Sequence, residues 1–313
     1  MRLAWLRADA PRATDPLDDT AALVDALRLH HDVQLFTHDT VGDFSAQHER
    51  TPFDLPVYEL DNTPAHASWR PLLSCYGGGL MLRTLALPDL GAAVMASRVS
   101  VVSCLAVADD LRARYPERRV SVAAVGVRDV QGVKEVQGVR PSPVVFGTLS
   151  GGRNDLLRRA FNRAGLCDDS AALLADVPPE QVLREAHVIV SVPWPWSGEP
   201  ATEALVAMAA GTPVVVIETT GTADWPALNP QSWQRRGPTG EAPIVVSVDP
   251  LDEEHSLALA IGRLSTDAAL RAGLGRAAKE WWRTHATPAH AAADWEQILS
   301  EAAQAPAMGP QYL

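Results

Sequence analysis

Apolar residues fall along this chain in short, nearly continuous runs, separated by stretches with helical periodicity. The clearest case is residues 186–219, AHVIVSVPWPWSGEPATEALVAMAAGTPVVVIET. It predicts a strand over residues 187–192, a Pro/Trp-rich loop, a helix over residues 201–210 and a second strand over residues 214–217. Gly211 ends the helix, and Thr212-Pro213 leads into the second strand. Unbroken Val/Ile runs joined by a helix read as a βαβ unit of a parallel sheet covered on both faces. The loop between strand and helix then sits at the carboxyl edge of the sheet. There, backbone N–H groups and the helix dipole favour an anion.

The same alternation runs through the rest of the chain. Strands are predicted at residues 2–6, 33–36, 53–58, 80–82, 99–102 and 120–125, with helices at residues 19–29, 67–75 and 106–115. Residues 130–143 are polar, contain Gly and Val, end in two prolines and read as a linker. Beyond them, a strand at residues 144–147 leads through a Gly-rich turn into a helix at residues 154–164, and residues 178–186 form a short helix. Residues 229–243 are a polar loop. A strand at residues 244–248 and helices at residues 251–264, 267–285 and 289–302 close the chain. The fold class is therefore α/β, with two parallel-sheet domains. The expected division is residues 1–140, residues 141–288, and a helix and tail over residues 289–313 that return to the first domain.

Composition narrows the function. With 313 residues and 47% hydrophobic content, the chain can build two full cores. A formal net charge of −11 argues against a nucleic-acid partner. No apolar run approaches the length of a transmembrane helix, and the N-terminus lacks a signal-peptide pattern. Cys75, Cys104 and Cys167 are widely spaced and odd in number, which suggests neither a disulfide framework nor a zinc site and points to the cytoplasm.

Several residues at predicted strand ends carry chemistry. Glu199 opens the helix at residues 201–210, where it accepts hydrogen bonds from sugar or ribose hydroxyls or serves only as a charge partner for the helix. Gly151, Gly152 and Arg153 form a turn in which the backbone can approach a phosphate and a guanidinium can meet it, although most such turns are only turns. Thr220 and Gly221 lie in a second polar turn after residue 217. His66, near a strand end, is the histidine best placed for catalysis. His30 and His31 suit a helix C-terminus, and no histidines share metal-ligand spacing. Trp194 and Trp196 flank Pro195 and either stack on a ring or pack. Ser197 lacks a Gly-x-Ser-x-Gly elbow, and no Gly-x-Gly-x-x-Gly follows the first strand, so serine-hydrolase and nicotinamide chemistry are set aside.

The ordered set DDTAALVDALRLHHDVQLF, NTPAHASW, VVSCLAVADDLRARYPERRVSVAAVGV, LLRRAF, PPEQVLREAHVIVSVPW, EALVAMAAGTPVVVIETTG and EWWRTH resembles the family 4 retaining glycosyltransferases. The resemblance spans most of the chain. It implies the GT-B architecture of two Rossmann-like domains facing a cleft, with a nucleotide-diphosphate sugar as donor substrate, an unknown acceptor, and neither metal nor other cofactor. Basic residues and a helix N-terminus would take the charge of the leaving diphosphate.

Carried over residue by residue, the resemblance is incomplete. Of the Gly-Arg and lysine pattern, Gly147 is present, Thr148 stands for the arginine and Arg153 for the lysine. Of the acidic pair, Glu199 matches the first acid and Val206 stands in the place of the second. Glu203, one turn from Glu199, substitutes on nearly the same helix face. Arg83-Thr84 stands where the family carries a His-Asp pair, and residues 165–178 are too few for the usual strand–helix–strand, so the second domain reads as trimmed. A charge-assisted hydrogen bond lost at a buried phosphate costs about 1.5–3 kcal/mol. The resemblance thus implies donor contacts from Gly147, Gly151, Gly152, Arg153, Glu199, Glu203, Thr220 and Gly221, with His66, Arg83 and Glu199 as catalytic candidates. A non-catalytic relative that binds a protein partner is the alternative, and a homodimer stays open.

Overall fold

The structure is a computed structural model that describes residues 1–10, 15–130, 145–147, 153–166, 171–173, 182–183, 185–237 and 240–305. In the first lobe, β1 (Arg2–Leu6), α1 (Asp19–Leu27), β2 (Asp32–Phe36), α2 (Val41–Arg50), β3 (Leu55–Leu60), α3 (Trp69–Tyr76), β4 (Gly79–Leu82), α4 (Leu90–Ala96), β5 (Val99–Val102), α5 (Leu105–Arg114) and β6 (Val120–Val122) alternate. Their strands form one parallel sheet in the order β2-β1-β3-β4-β5-β6. The second lobe holds β7 (Val145–Gly147), α6 (Asn154–Arg163), β8 (Ala171–Leu173), β9 (Val188–Ser191), α7 (Thr202–Ala210), β10 (Val214–Ile217), β11 (Ala227–Leu228), β12 (Arg235–Arg236), β13 (Val245–Val248), α8 (Glu253–Thr266) and α9 (Ala268–His285). Its sheet runs β12-β11-β13-β10-β9-β7-β8 and is parallel except for the β11–β12 hairpin.

Burial explains the strands. Every residue of β9, β10 and β13 is buried, so these strands are built from β-branched apolar side chains, with only Ser191 and Ser247 polar. Helix α7 is apolar nearly all round because it lies under α9 as well as against the sheet. It ends at Gly211, whose φ of 75° is the left-handed cap conformation that glycine adopts without strain. Gly275 of α9 passes so close to this cap that an added Cβ would stand 2.1 Å from the Gly211 carbonyl oxygen.

The last helix, α10 (Pro288–Gln304), belongs to the core of the first lobe. The Thr287 side chain caps its start and Pro288 occupies its first turn. Trp295 then packs on Trp5 with ring centroids 5.0 Å apart, among Leu3, Val24 and Leu55. The chain leaves the first lobe near Val127 and returns to it after Ala286, and the two passages lie side by side. Val127 N–H donates to the Ala286 carbonyl (3.0 Å), and the Trp282 indole N–H donates to the Val127 carbonyl (3.2 Å).

The structure holds five elements that the sequence-based expectation lacks: α2, α4 and the short strands β8, β11 and β12. Helices α2 and α4 fall where only connections are expected. In α2 only Phe44 is buried, so the apolar period that marks a helix is nearly absent. The polar loop after β11 contains the edge strand β12. The expected linker at residues 131–143 and most of the expected helix at residues 178–186 lie outside the described residues.

Candidate active site between the lobes

The carboxyl ends of both sheets line one cavity of about 470 Å³. From the first lobe come Ser103 and Cys104 after β5, and Ala124 and Val125 after β6. From the second come Ser191 and Pro193 at the end of β9, the start of α7, and the Thr219–Thr222 turn after β10. The last turn of α9 adds Trp281 and His285, which stack at 4.7 Å with 10° between their planes. A cavity of this size, with a few polar groups converging on an aromatic wall, is what a small-molecule site requires.

Glu199, Thr220 and Gly221, singled out from the sequence, are brought together on this cavity. The Thr219–Thr222 turn is held from within. Thr219 N–H donates to Thr222 Oγ1 (3.0 Å), which in turn donates to the Ile217 carbonyl (3.0 Å). Gly221 lies against Trp196, and an added Cβ there would come 2.9 Å from the indole ring. Helix α7 begins at Ala201, which has no side chain able to cap the first turn. Thr202 Oγ1 is buried and finds no hydrogen-bond partner among the described residues. The helix therefore presents an uncapped amino end to the cavity wall formed by Pro200, Ala201 and Ala204.

Glu199 is already engaged. Its Oε2 accepts from Ser197 N–H (2.7 Å) and its Oε1 accepts from Ser197 Oγ (2.5 Å). Glu203 lies behind the cavity wall, where its Oε2 accepts from Ser191 Oγ (3.3 Å). Gly147 ends β7, beside the carboxyl end of β9. Gly151 and Gly152 lie outside the described residues.

The other expected residues stand apart from the cavity lining. Arg153 precedes α6 and is 9% exposed; its guanidinium pairs with Glu253 at the start of α8 and lies 6.0 Å from the Trp194 ring centroid. Arg83 forms a two-pronged pair with Asp19 (2.6 and 2.9 Å), and its Nε is 3.7 Å from Glu59 Oε1. The two carboxylates keep Arg83 charged despite its burial. Burial raises the Glu59 pKa more than Arg83 and Arg7 lower it, and Glu59 Oε2 has no partner among the described residues. His66 is 2% exposed, with Nδ1 2.5 Å from Asp61 Oδ1. Burial pushes the Asp61 pKa up, but hydrogen bonds from His66 and Thr63 outweigh it and bring the value down from 3.8 to about 2.

Sequence reasoning did not find Ser103, Asp224, Trp225 or His285 on this cavity. They come from three separate segments, after β5, after β10 and at the end of α9, and no spacing in the sequence links the three. Among the described residues, no lysine or arginine lines the cavity, whereas Glu199 and Asp224 do. No group of three His, Cys, Asp or Glu among them is placed to hold a metal ion, and no helix is long and apolar enough to cross a membrane.

No family model matches the sequence, and no curated protein matches it. Solved structures do match. HepE of Anabaena, solved with UDP and glucose, superposes with a TM-score of 0.69 at 12% identity, covering 96% of this chain and 100% of that one. Sucrose-phosphate synthase from Thermosynechococcus elongatus gives 0.63 at 13%, covering 96% and 98%. WaaG, a glycosyltransferase involved in lipopolysaccharide biosynthesis, gives 0.59 at 11%, covering 95% and 99%. The chain thus has the GT-B architecture, two Rossmann-like lobes facing a cleft, over the full length of these structures. At such identities the likeness is one of fold.

Proposed function

We propose that this chain is a glycosyltransferase. It moves a sugar from a nucleotide-diphosphate donor to an acceptor, with retention at the anomeric carbon and without a metal. The observation that carries this reading is the interlobe cavity itself, flanked by an uncapped helix terminus and the Thr219–Thr222 turn at the carboxyl edge of a parallel sheet. In the reaction, the sugar–phosphate bond breaks and negative charge collects on the diphosphate. The N–H groups opening α7 lie in the wall where that charge would be held, and their dipoles need no reorganisation to meet it. In this reading Gly147, Gly151, Gly152 and Arg153 would serve the diphosphate, Glu199 and Glu203 the donor hydroxyls, and His66 and Arg83 the acceptor; of these Glu199 lines the cavity, and Arg153, Glu203, His66 and Arg83 would have to exchange their present partners for the ligand. The cytoplasm is the expected compartment.

A thermal-shift screen against nucleotides and nucleotide sugars tests the proposal. A ligand held only by the folded chain adds about 2.7 kcal/mol of stability at a hundred times its Kd. A clear rise in Tm with one nucleotide class is the expected result. No shift with any of them at millimolar concentration overturns the reading.

One observation favours a second reading. Among the described residues no cation lines the cavity, and Arg153 and Arg83 are both paired with carboxylates. A GT-B protein that has given up catalysis and serves as a binding module or partner would keep the shell and lose the phosphate clamp. Sugar transfer or donor hydrolysis by the purified protein, abolished by Glu199→Ala, rules this out.

A further inference from the structure

The loop between β9 and α7 belongs to the second lobe by sequence, yet it is fastened to the first. Leu85 N–H, just beyond β4, donates to the Ser197 carbonyl (2.6 Å). Thr84 Oγ1 lies 2.8 Å from Ser197 Oγ, 3.2 Å from the Ser197 carbonyl and 3.4 Å from Glu199 Oε1. The Thr84 hydroxyl carries one proton and serves one acceptor at a time. Because Ser197 Oγ donates to Glu199, a continuous arrangement runs from the Thr84 hydroxyl to the Ser197 hydroxyl to the Glu199 carboxylate. Trp196 packs against the core of the first lobe, and its indole N–H donates to the Glu199 carbonyl (2.8 Å). At Gly198, an added Cβ would stand 3.3 Å from Leu85 and 3.5 Å from Val107, both in the first lobe, and φ is +98°. Only glycine holds that backbone shape without strain.

We infer that residues 196–199 are a latch that crosses the cleft and holds the lobes together before any ligand arrives, with Glu199 as a positioning residue. Its carboxylate folds the loop by gathering the Ser197 N–H and hydroxyl, and the folded loop offers its Ser197 carbonyl to Leu85. The two chain passages at Val127 and Ala286 join the lobes a second time. The lobes are therefore connected at a covalent crossing and at a releasable one. The latch rests on the transferase reading only for the identity of the molecule that enters; its geometry is independent of that reading.

Hydrogen exchange read residue by residue on the full chain tests the latch. The Leu85 amide reports the contact across the cleft. The Arg83 amide donates to the Leu60 carbonyl within the first lobe (2.8 Å) and serves as the internal reference. In the wild type, Leu85 is protected. The double variant Thr84→Val with Ser197→Ala keeps the side-chain bulk and removes the hydroxyls, and should speed Leu85 exchange about tenfold while leaving Arg83 unchanged. Trp196→Ala should speed it further. An unprotected Leu85 in the wild type, or variants that leave its rate unchanged, overturns the latch. A parallel rise at Arg83 overturns it too, since the bonds would then support the lobe and not the join. Adding UDP and a panel of nucleotide sugars separates the two claims. No binding at all removes the transferase reading and leaves a protected Leu85 in support of the latch.

Discussion

At the carboxyl edge of the first sheet, Arg83 is clasped by Asp19 and Glu59, Arg7 by Asp18 (2.8 Å) and His66 by Asp61. At the same edge of the second sheet, α7 begins without a cap and the Thr219–Thr222 turn opens onto a cavity. Both sheets reverse their strand order two strands in from one edge, between β1 and β3 in one and between β7 and β9 in the other. Crevices at such reversals are where α/β sheets receive ligands. At this edge the first lobe pairs its charged side chains with one another, although Glu59 Oε2 and His66 Nε2 find no partner among the described residues, whereas the second lobe leaves the amino end of α7 uncapped. The same topology can therefore yield a structural network or a receptive site, depending on whether the charges at the strand ends find partners within their own lobe.

Removing Arg83 should break this comparison most severely. Arg83→Ala leaves Asp19 and Glu59 buried without their cation, and a loss of about 3–5 kcal/mol in urea unfolding is expected. Adding Asp19→Asn should return part of that loss, since the two residues act as a pair. Arg153→Ala in the second lobe should cost less, about 1–2 kcal/mol, because Arg153 has one carboxylate partner and that partner is 21% exposed. Equal losses at the two arginines would remove the contrast between the lobes.

Gly221→Ala sharpens the receptive side. The new methyl group must displace the Trp196 ring, so the latch should loosen and ligand affinity should fall about tenfold, with a stability loss of about 1 kcal/mol. Titration calorimetry with the nucleotide found in the screen measures it. The smallest effect is electrostatic. Asp61 has a lower pKa in the folded chain, so its contribution is complete above the usual carboxylate range and is lost as pH falls from about 4 to about 2. Its side chain is 36% exposed, so solvent screening keeps the effect to about 1 kcal/mol or less, and Asp61→Asn should flatten that part of the acid limb. Glu59 works in the opposite sense. Its raised pKa favours the folded state at low pH, and that contribution declines as pH rises through the raised value; Glu59→Gln should remove the decline.

The α/β alternation was legible in the sequence wherever burial on two faces produced Val/Ile-rich runs, unbroken in β10 and with one serine each in β9 and β13. It was not legible in α2, where one buried phenylalanine leaves no period to read. Within the site, Glu199, Thr220 and Gly221 stand out because each follows a readable strand. His285 and Trp281 do not, because the end of a long helix carries no mark of what it faces.

The sequence by itself determined the two sheets, the helix stop at Gly211 and the polar turns at the strand ends, since all of these follow from local periodicity and backbone freedom. Only the tertiary structure decided the use of the charges and the joining of the lobes. Arg83 and Asp19 are 64 positions apart, and Thr84 and Ser197 are 113 apart. Whether a guanidinium is free or paired, or a loop open or fastened, depends on which side chains the packed sheets bring within hydrogen-bond distance, and no local pattern encodes that.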